Sequence, residues 1–170
     1  MNSQFYLKKL EKSKELQEFL KGNPKAFLCS GFFVIDNEGK DNQVHFDYYV
    51  PDKRELFSFQ LEGEIKKARV DILDDKWIPE KVSNYNFEFE DVEELIVEKM
   101  KEEKLKNKLQ KILLSLQKIK PEGESESKNY LIGTVFISGL GMIKVHIDLK
   151  EMKIVLFEKK SVFDMVKRVK

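Results

Sequence analysis

The chain has 170 residues, of which 41% are hydrophobic and 36% are charged. This composition supports a folded core with a charged surface and argues against disorder, and the length suits one ordinary domain or two very small ones. The formal net charge of +1 gives no general attraction to nucleic acid or to anionic membranes.

Two features of the amino-acid composition limit the possible partners and the expected cellular location. Lysine outnumbers arginine 28 to 3, and since the arginine fork dominates phosphate and base recognition, a nucleic-acid partner is disfavoured. Cys29 is the only cysteine, which excludes an intrachain disulfide and a cysteine-built zinc site. No stretch is apolar enough for a secretory signal or a membrane span, so we expect a cytoplasmic protein.

The first half is predicted to hold one helix and a run of strands. Apolar residues at helical spacing predict an amphipathic helix over residues 4–21, which Gly22-Asn23-Pro24 should end. Four strand-like stretches follow, reading KAFLCSGFFVID, VHFDYYV, LFSFQLE and KARVDIL. The second of them places Val44 and Phe46 on one face and His45 and Asp47 on the other.

The middle of the chain is predicted to be a connector, a short strand and a long helix. Trp77, in the connector DDKWIPEKVSN, is expected to cover an edge of the core, and NYNFEFE alternates like a strand. Apolar residues at spacings of three and four predict a helix over residues 92–119, although the phase slips across residues 101–104. Such a helix would span about 42 Å, whereas a sheet of four or five strands is about 20–25 Å across. The helix therefore either breaks near residues 101–104 or overhangs its sheet.

The last segments are predicted to be three strands and a helix. YLIGTVFI, MIKVHIDL and MKIVLFE read as strands joined by tight turns. Ser161 is a suitable N-cap for a C-terminal helix. The residues of that helix expected to face inward are Val162, Phe163, Val166 and Val169.

An internal repeat relates the two halves. VHFD at 44–47 recurs as VHID at 145–148, and FLCSGFFVID corresponds to YLIGTVFISG. A supersecondary unit repeated at this distance predicts an α+β protein of two tandem modules, residues 1–83 and 84–170. Each module would pack a helix on a curled antiparallel sheet, and the two would form an internal pseudo-dimer.

This order of elements resembles the cystatin-like fold, and more narrowly PepSY-like domains. The points of likeness are the acidic FEFEDVEEL before the helix and the strand-turn-strand HIDLKEMKIVLF after it. The resemblance implies a non-catalytic binding or inhibitory module. The chain departs from the PepSY pattern in lacking an export signal and a glycine in the turn DLKEMK.

The repeated His-x-Asp is the first candidate for chemistry. Imidazole and carboxylate two residues apart on one strand face could bind a metal ion. However, His45 and His146 fall on the less apolar face of their strands, where alternation alone places polar residues, and neither half offers a third ligand. They are interpreted as markers of the repeat.

Two further sets of residues could belong to a catalytic site. Asp52 with Glu64 and Lys66 spells the PD…ExK pattern of metal-dependent nucleases, in which two carboxylates hold Mg²⁺ and the lysine lies near the phosphate. Here, Asp52 falls in a predicted turn and Glu64 lies beyond a strand end. Cys29 with His45 could form a thiol nucleophile and its base, but cysteine in an aromatic strand is usually a buried hydrophobe.

The sequence therefore favours a non-catalytic module that binds a protein or peptide, as a monomer or a dimer. Exposed edge strands or the long helix would provide the binding surface. No cofactor, catalytic residue or metal ligand is assigned. The alternatives are a metal-dependent nuclease using Asp52, Glu64 and Lys66, and a small-ligand binder with a pocket between helix and sheet.

Overall fold

A computed structural model describes residues 2–161, which form three helices and eight strands. All eight strands belong to one antiparallel sheet, in the order β4-β3-β2-β1-β5-β6-β7-β8. The predicted α+β class with an antiparallel sheet is confirmed. The elements are α1 (Ser3–Glu11), α2 (Lys14–Gly22), β1 (Phe27–Asp36), β2 (Gln43–Val50), β3 (Glu55–Gln60), β4 (Lys66–Val70), α3 (Phe89–Glu102), β5 (Leu109–Ile119), β6 (Lys128–Ile137), β7 (Gly141–Asp148) and β8 (Lys153–Ser161).

The ladder between β1 and β5 joins the two halves of the chain. It runs antiparallel from Ser30 opposite Gln117 to Asp36 opposite Lys111, without a bulge. Strands before residue 71 lie on one side of this ladder, and strands after residue 108 lie on the other. One sheet therefore contains both halves, and the division at residue 83 stays a prediction.

One face of the sheet, called here the helix face, carries the main core. Alternate residues of the strands point to it, and the buried hydrophobic side chains of all three helices join the same cluster. Phe33, at its centre, is fully buried and packs edge-on against the rings of Phe46, Phe87 and Phe89. The helix residues buried in this cluster are Leu7, Leu10, Leu16, Phe19, Val92, Ile96 and Met100.

The opposite face, called here the open face, is of mixed polarity. One row across it runs through residues that lie opposite one another in successive ladders, and none of them belongs to the main core cluster. Among residues 2–161, no helix contributes a buried side chain to this face. The row consists of His45, Phe32, Ser115, Ile132, His146 and Leu156.

The predicted helix over residues 4–21 is two helices. The Ser13 hydroxyl accepts a hydrogen bond from the Leu16 amide at 3.2 Å and donates to the Leu10 carbonyl at 2.5 Å. Ser13 thus caps a new helix while closing the previous one. The prediction of one continuous helix was wrong. The spacing of apolar residues does not reveal that the Ser13 side chain hydrogen-bonds to backbone groups and so interrupts the helix.

The predicted helix over residues 92–119 is helical as far as Glu102, and the prediction was wrong beyond it. The helix ends at Glu102, Lys104 adopts a positive φ of 57°, and residues 109–119 form β5. In β5 the buried residues are Ile112, Leu114 and Leu116, which alternate as strand residues do. The break falls where the helical phase slips, and the 14-residue α3 spans about 21 Å, so no overhang arises.

Two further predicted elements concern residues 84–90 and the C-terminal residues. The NYNFEFE segment pairs with no strand of the sheet, and Phe89 already begins α3, although Tyr85 and Phe87 are buried. The strand predicted there was wrong. The residues that should face inward in the predicted C-terminal helix, 162–169, lie outside the described residues. Within residues 2–161 no helix is long and apolar enough to cross a membrane.

A substitution at Gly133 tests how closely β6 packs against β5. A Cβ atom at this position would lie 1.8 Å from the carbonyl oxygen of Leu113, a backbone atom that no side-chain rotation can move away. We expect Gly133→Ala to lower the free energy of unfolding by about 3 kcal/mol, measured by urea denaturation.

The matched control is Gly22→Ala at the end of α2, where an added Cβ meets nothing within 4 Å. This substitution should leave the free energy of unfolding unchanged or raise it by about 0.5 kcal/mol. Equal effects of the two substitutions would contradict the close approach of β5 and β6.

Candidate functional site

The two histidines are far apart on the open face. Counted along the row, His45 on β2 and His146 on β7 are separated by four strand spacings, about 19 Å. His45 Nε2 lies 3.4 Å from a carboxylate oxygen of Glu62, whereas the buried Nε2 of His146 has no hydrogen-bond partner among the described residues. Burial and then the nearby Lys144 lower the pKa of His146, which favours neutral imidazole. The two side chains cannot hold one metal ion.

The structure also separates the nuclease-like residues. Asp52 lies in the turn before β3, where Lys25 Nζ is 3.7 Å from it, while Glu64 lies beyond the other end of β3. A six-residue strand spans about 17 Å, but both carboxylates would need to reach an ion at about 2.1 Å. Lys66 begins β4, opposite Gln60. Among residues 2–161 no three His, Cys, Asp or Glu side chains are grouped to hold a metal ion.

Cys29 is a buried thiol in a small apolar cluster on the open face. It packs with Tyr49 and Leu56, and its thiol donates to the Asp47 carbonyl at 3.5 Å. Burial raises its pKa to about 12. A thiol with so high a pKa is not a nucleophile at neutral pH, so a cysteine–histidine pair has no basis in this arrangement.

A short polar row crosses β1, β2 and β3 beside this cluster. Ser30 Oγ donates to Asp47 Oδ2 at 2.7 Å, and Ser58 donates a second hydrogen bond to the same carboxylate. Burial raises the pKa of Asp47, and the two hydroxyls only partly oppose that shift. The serine donates to the carboxylate and not to an imidazole, so the row lacks the geometry of an activated nucleophile.

The raised pKa of Asp47 predicts a pH-dependent stability. Above the ordinary carboxyl value of 3.8 the unfolded chain loses this proton more readily than the folded one, so stability falls as the pH rises through the folded pKa. We expect Asp47→Asn to unfold at a higher urea concentration than the wild type at pH 7, with the difference vanishing in acid.

Asp36 provides a control of opposite sign. The amides of Gly39, Glu38 and Asp41 donate to its carboxylate and lower its pKa, so its contribution is present above pH 3.8 and lost in acid. Asp36→Asn should therefore destabilise the protein at pH 7 and less so at low pH. If both variants shift the urea midpoint in the same direction, the assignment for Asp47 is wrong.

Two clefts lie where the helices meet the sheet. One, of about 430 Å³, has Tyr6 and Phe89 as aromatic walls and glutamates at its rim, including Glu62 and Glu93. These two carboxylates are already used within the fold: Glu62 accepts from the Val44 amide, and Glu93 accepts from the Asn37 side chain at 2.7 Å. Their hydrogen bonds stabilise the fold, and neither carboxylate points to a ligand.

The other cleft, of about 670 Å³, lies between α1, the start of β1 and residues 81–86. Tyr85 lines it, but the tyrosine hydroxyl is buried and has no hydrogen-bond partner among the described residues. Burial is the largest cause of its raised pKa, ahead of Tyr48 and Glu11. The hydroxyl is sealed off and not presented to the cleft.

The unpaired hydroxyl gives a stability test. Tyr85→Phe removes a buried polar group that has no partner, so the free energy of unfolding should stay the same or rise. Ser3→Ala, on the neighbouring α1, removes the acceptor of the Phe87 amide at 3.2 Å and should cost about 1–2 kcal/mol. Urea denaturation of both variants checks this order, and a destabilised Tyr85→Phe would contradict it.

Residues 70–80, called here the 70–80 segment, stand out by exposure. Seven large hydrophobic residues are exposed in the described part of the chain, and four of them fall in this short stretch. Leu73 is 98% exposed and Ile78 74% exposed. The other two are Val70 and Trp77. Single exposed hydrophobics are ordinary, whereas a cluster of them marks an interaction site.

The segment is anchored beneath these exposed residues. Ile72 packs against the Cys29 cluster, and the Trp77 ring lies edge-on to Tyr49 with centroids 6.1 Å apart. Asp74 closes a turn, because its side chain accepts from the Lys76 amide and its carbonyl accepts from the Trp77 amide. The fixed backbone holds Leu73 and Ile78 outward at little entropic cost.

The 70–80 segment is also acidic. The segment carries four carboxylates, all exposed, and a single lysine. The acidic residues are Asp71, Asp74, Asp75 and Glu80. Sequence reasoning read this stretch as a connector whose Trp77 covers an edge of the core, and that reading missed the outward residues. The available signal was the mixture of carboxylates and large hydrophobics in DILDDKWIPE.

Comparison of the chain with protein-family models, with curated proteins and with solved structures finds no match.

Proposed function

We propose that the chain is a non-catalytic protein-binding module that presents its 70–80 segment to a partner. The partner offers an apolar groove whose rim carries lysine or arginine side chains. Leu73 and Ile78 enter the groove, and the neighbouring carboxylates pair with the rim. The observation that carries the proposal is the 98% exposure of Leu73 within an anchored and acidic segment.

Two physical arguments support this surface. Burying a leucine or isoleucine side chain contributes about 1.5–3 kcal/mol, and both side chains are almost entirely available for burial. The exposed carboxylates of Asp71 and Asp75 also favour a basic partner and speed its approach, whereas those of Asp74 and Glu80 accept hydrogen bonds within the chain. A segment already held in place loses little conformational entropy on binding.

The alternative functions have less support. A nuclease would need Asp52 and Glu64 at one ion, but they lie at opposite ends of β3. A small-ligand binder would need free polar groups in a cleft, but the carboxylates of Glu62 and Glu93 already accept hydrogen bonds within the fold.

The cystatin-like resemblance and the two modules, residues 1–83 and 84–170, fit the same proposal. Support comes from the sheet order, in which β1–β4 and β5–β8 lie on opposite sides of the β1–β5 ladder. In this interpretation an internal pseudo-dimer forms the rigid platform, and a binding segment leaves it between the two modules.

Site-specific crosslinking tests the binding segment. A photo-crosslinking residue at position 73 should capture a defined protein from cells, because Leu73 is the most exposed anchor. Leu73→Asp with Ile78→Asp should lower the affinity for that purified protein by about 30-fold or more, measured by isothermal titration calorimetry. Asp71→Lys with Asp75→Lys should also weaken it, and added salt should weaken wild-type binding.

The matched control uses apolar residues that are exposed elsewhere. Leu140 is 63% exposed and Phe5 is 61% exposed. A crosslinker at position 140 and the variant Phe5→Asp therefore control for non-specific hydrophobic binding. The same proteins captured from positions 73 and 140, or equal losses of affinity in both sets of variants, would refute the proposal.

A further inference from the structure

The 70–80 segment leads the chain from one face of the sheet to the other. Ile72 packs on the Cys29 cluster of the open face, whereas Val82, just beyond the segment, is buried in the main core on the helix face. The Val82 amide donates to the Leu28 carbonyl at 2.8 Å, so the chain passes the end of the sheet at the start of β1. No residue between 72 and 82 belongs to a strand, and other contacts must hold this stretch in place.

Side chains from the second half of the chain hold the far end of the segment. The Ser127 hydroxyl lies 2.8 and 3.0 Å from the two carboxylate oxygens of Glu80, to which it donates. The side-chain amide of Asn129 donates to the Ser83 carbonyl at 2.9 Å. Ser127 lies in the loop between β5 and β6, and Asn129 is the second residue of β6. These four residues, called here the C-terminal anchor, tie the segment to a distant part of the chain.

The packing of the segment itself is slight. Ile72 is only partly buried, Trp77 remains exposed despite its contact with Tyr49, and of residues 71–80 only Pro79 is buried. Few buried apolar contacts and an exposed backbone are typical of a region that opens locally, at a lower free energy than the unfolding of the whole protein. In such a region a hydrogen bond to a carboxylate is a large share of what keeps it closed.

We propose that the C-terminal anchor positions the 70–80 segment, and that releasing the anchor lets the segment lift off the Cys29 cluster. Ser127 is the main positioning residue, because its hydroxyl is the only hydrogen-bond donor to Glu80 among residues 2–161. The second half of the chain thereby controls how a surface next to the first half is presented. This consequence for partner binding rests on the proposed function, whereas the closing of the segment by its anchor does not.

The labelling rate of the native Cys29 measures this opening. Cys29 is the only cysteine and is buried in the cluster on which Ile72 packs, so maleimide reaches it when the segment lifts. Ser127→Ala should speed the labelling about 3- to 10-fold, as expected for the loss of one hydrogen bond. Ser127→Thr keeps the hydroxyl and should restore the wild-type rate.

The matched control is Ser125→Ala in the same loop. The Ser125 side chain is exposed and makes no hydrogen bond among residues 2–161, so this substitution should leave the labelling rate unchanged. Labelling through the lifted segment should rise only slightly with added urea, because little surface becomes exposed, whereas labelling through global unfolding rises steeply. A wild-type rate in Ser127→Ala, or a steep urea dependence at low urea, would overturn the proposal.

The proposed function and the anchor fail separately. Leu73→Asp with Ile78→Asp, the variant that tests partner binding, should label at the wild-type rate, because these exposed side chains do not hold the segment closed. A partner affinity that this double substitution leaves unchanged refutes the proposed function alone. A labelling rate that Ser127→Ala leaves unchanged refutes the anchor alone.

Discussion

The β1–β5 ladder is the contact on which the rest of the fold depends. It places Phe33 opposite Leu114 at the middle of an eight-stranded sheet, and the rings of Phe46, Phe87 and Phe89 close around Phe33. Without this ladder, β1 and β5 would each expose an apolar edge, and the helices would cover two small sheets. With it, the helix face becomes one continuous core.

The sequence predicts strands reliably where only one periodicity fits the residues. In β2, Val44, Phe46 and Tyr48 alternate with polar neighbours, and no helical stripe competes. In β5 the same residues fit two periods: Ile112 and Leu116 are one helical turn apart, and with Leu114 they also alternate. Residues 109–119 form a strand because β1 needs a hydrogen-bonding partner on its free side. This requirement is non-local, so the propensity of the residues themselves does not reveal it.

The candidate sites were predictable in position but not in their spatial relation. Alternation correctly placed His45 and His146 on the less apolar face, yet their separation of about 19 Å depends on the order of the strands between them. The 70–80 segment shows the same limit at neighbouring residues. Ile72 packs on the Cys29 cluster while Leu73 is 98% exposed, and no local pattern distinguishes the two.

The position of the 70–80 segment depends on the open face of the sheet. Ile72 and Trp77 rest on Tyr49 and Leu56, so the segment covers one end of the open face. This packing fixes the segment in place. A basic partner on the segment would therefore contact side chains that the core does not use. One small cluster, built around the inert Cys29, thus determines how the segment presents Leu73 and Ile78.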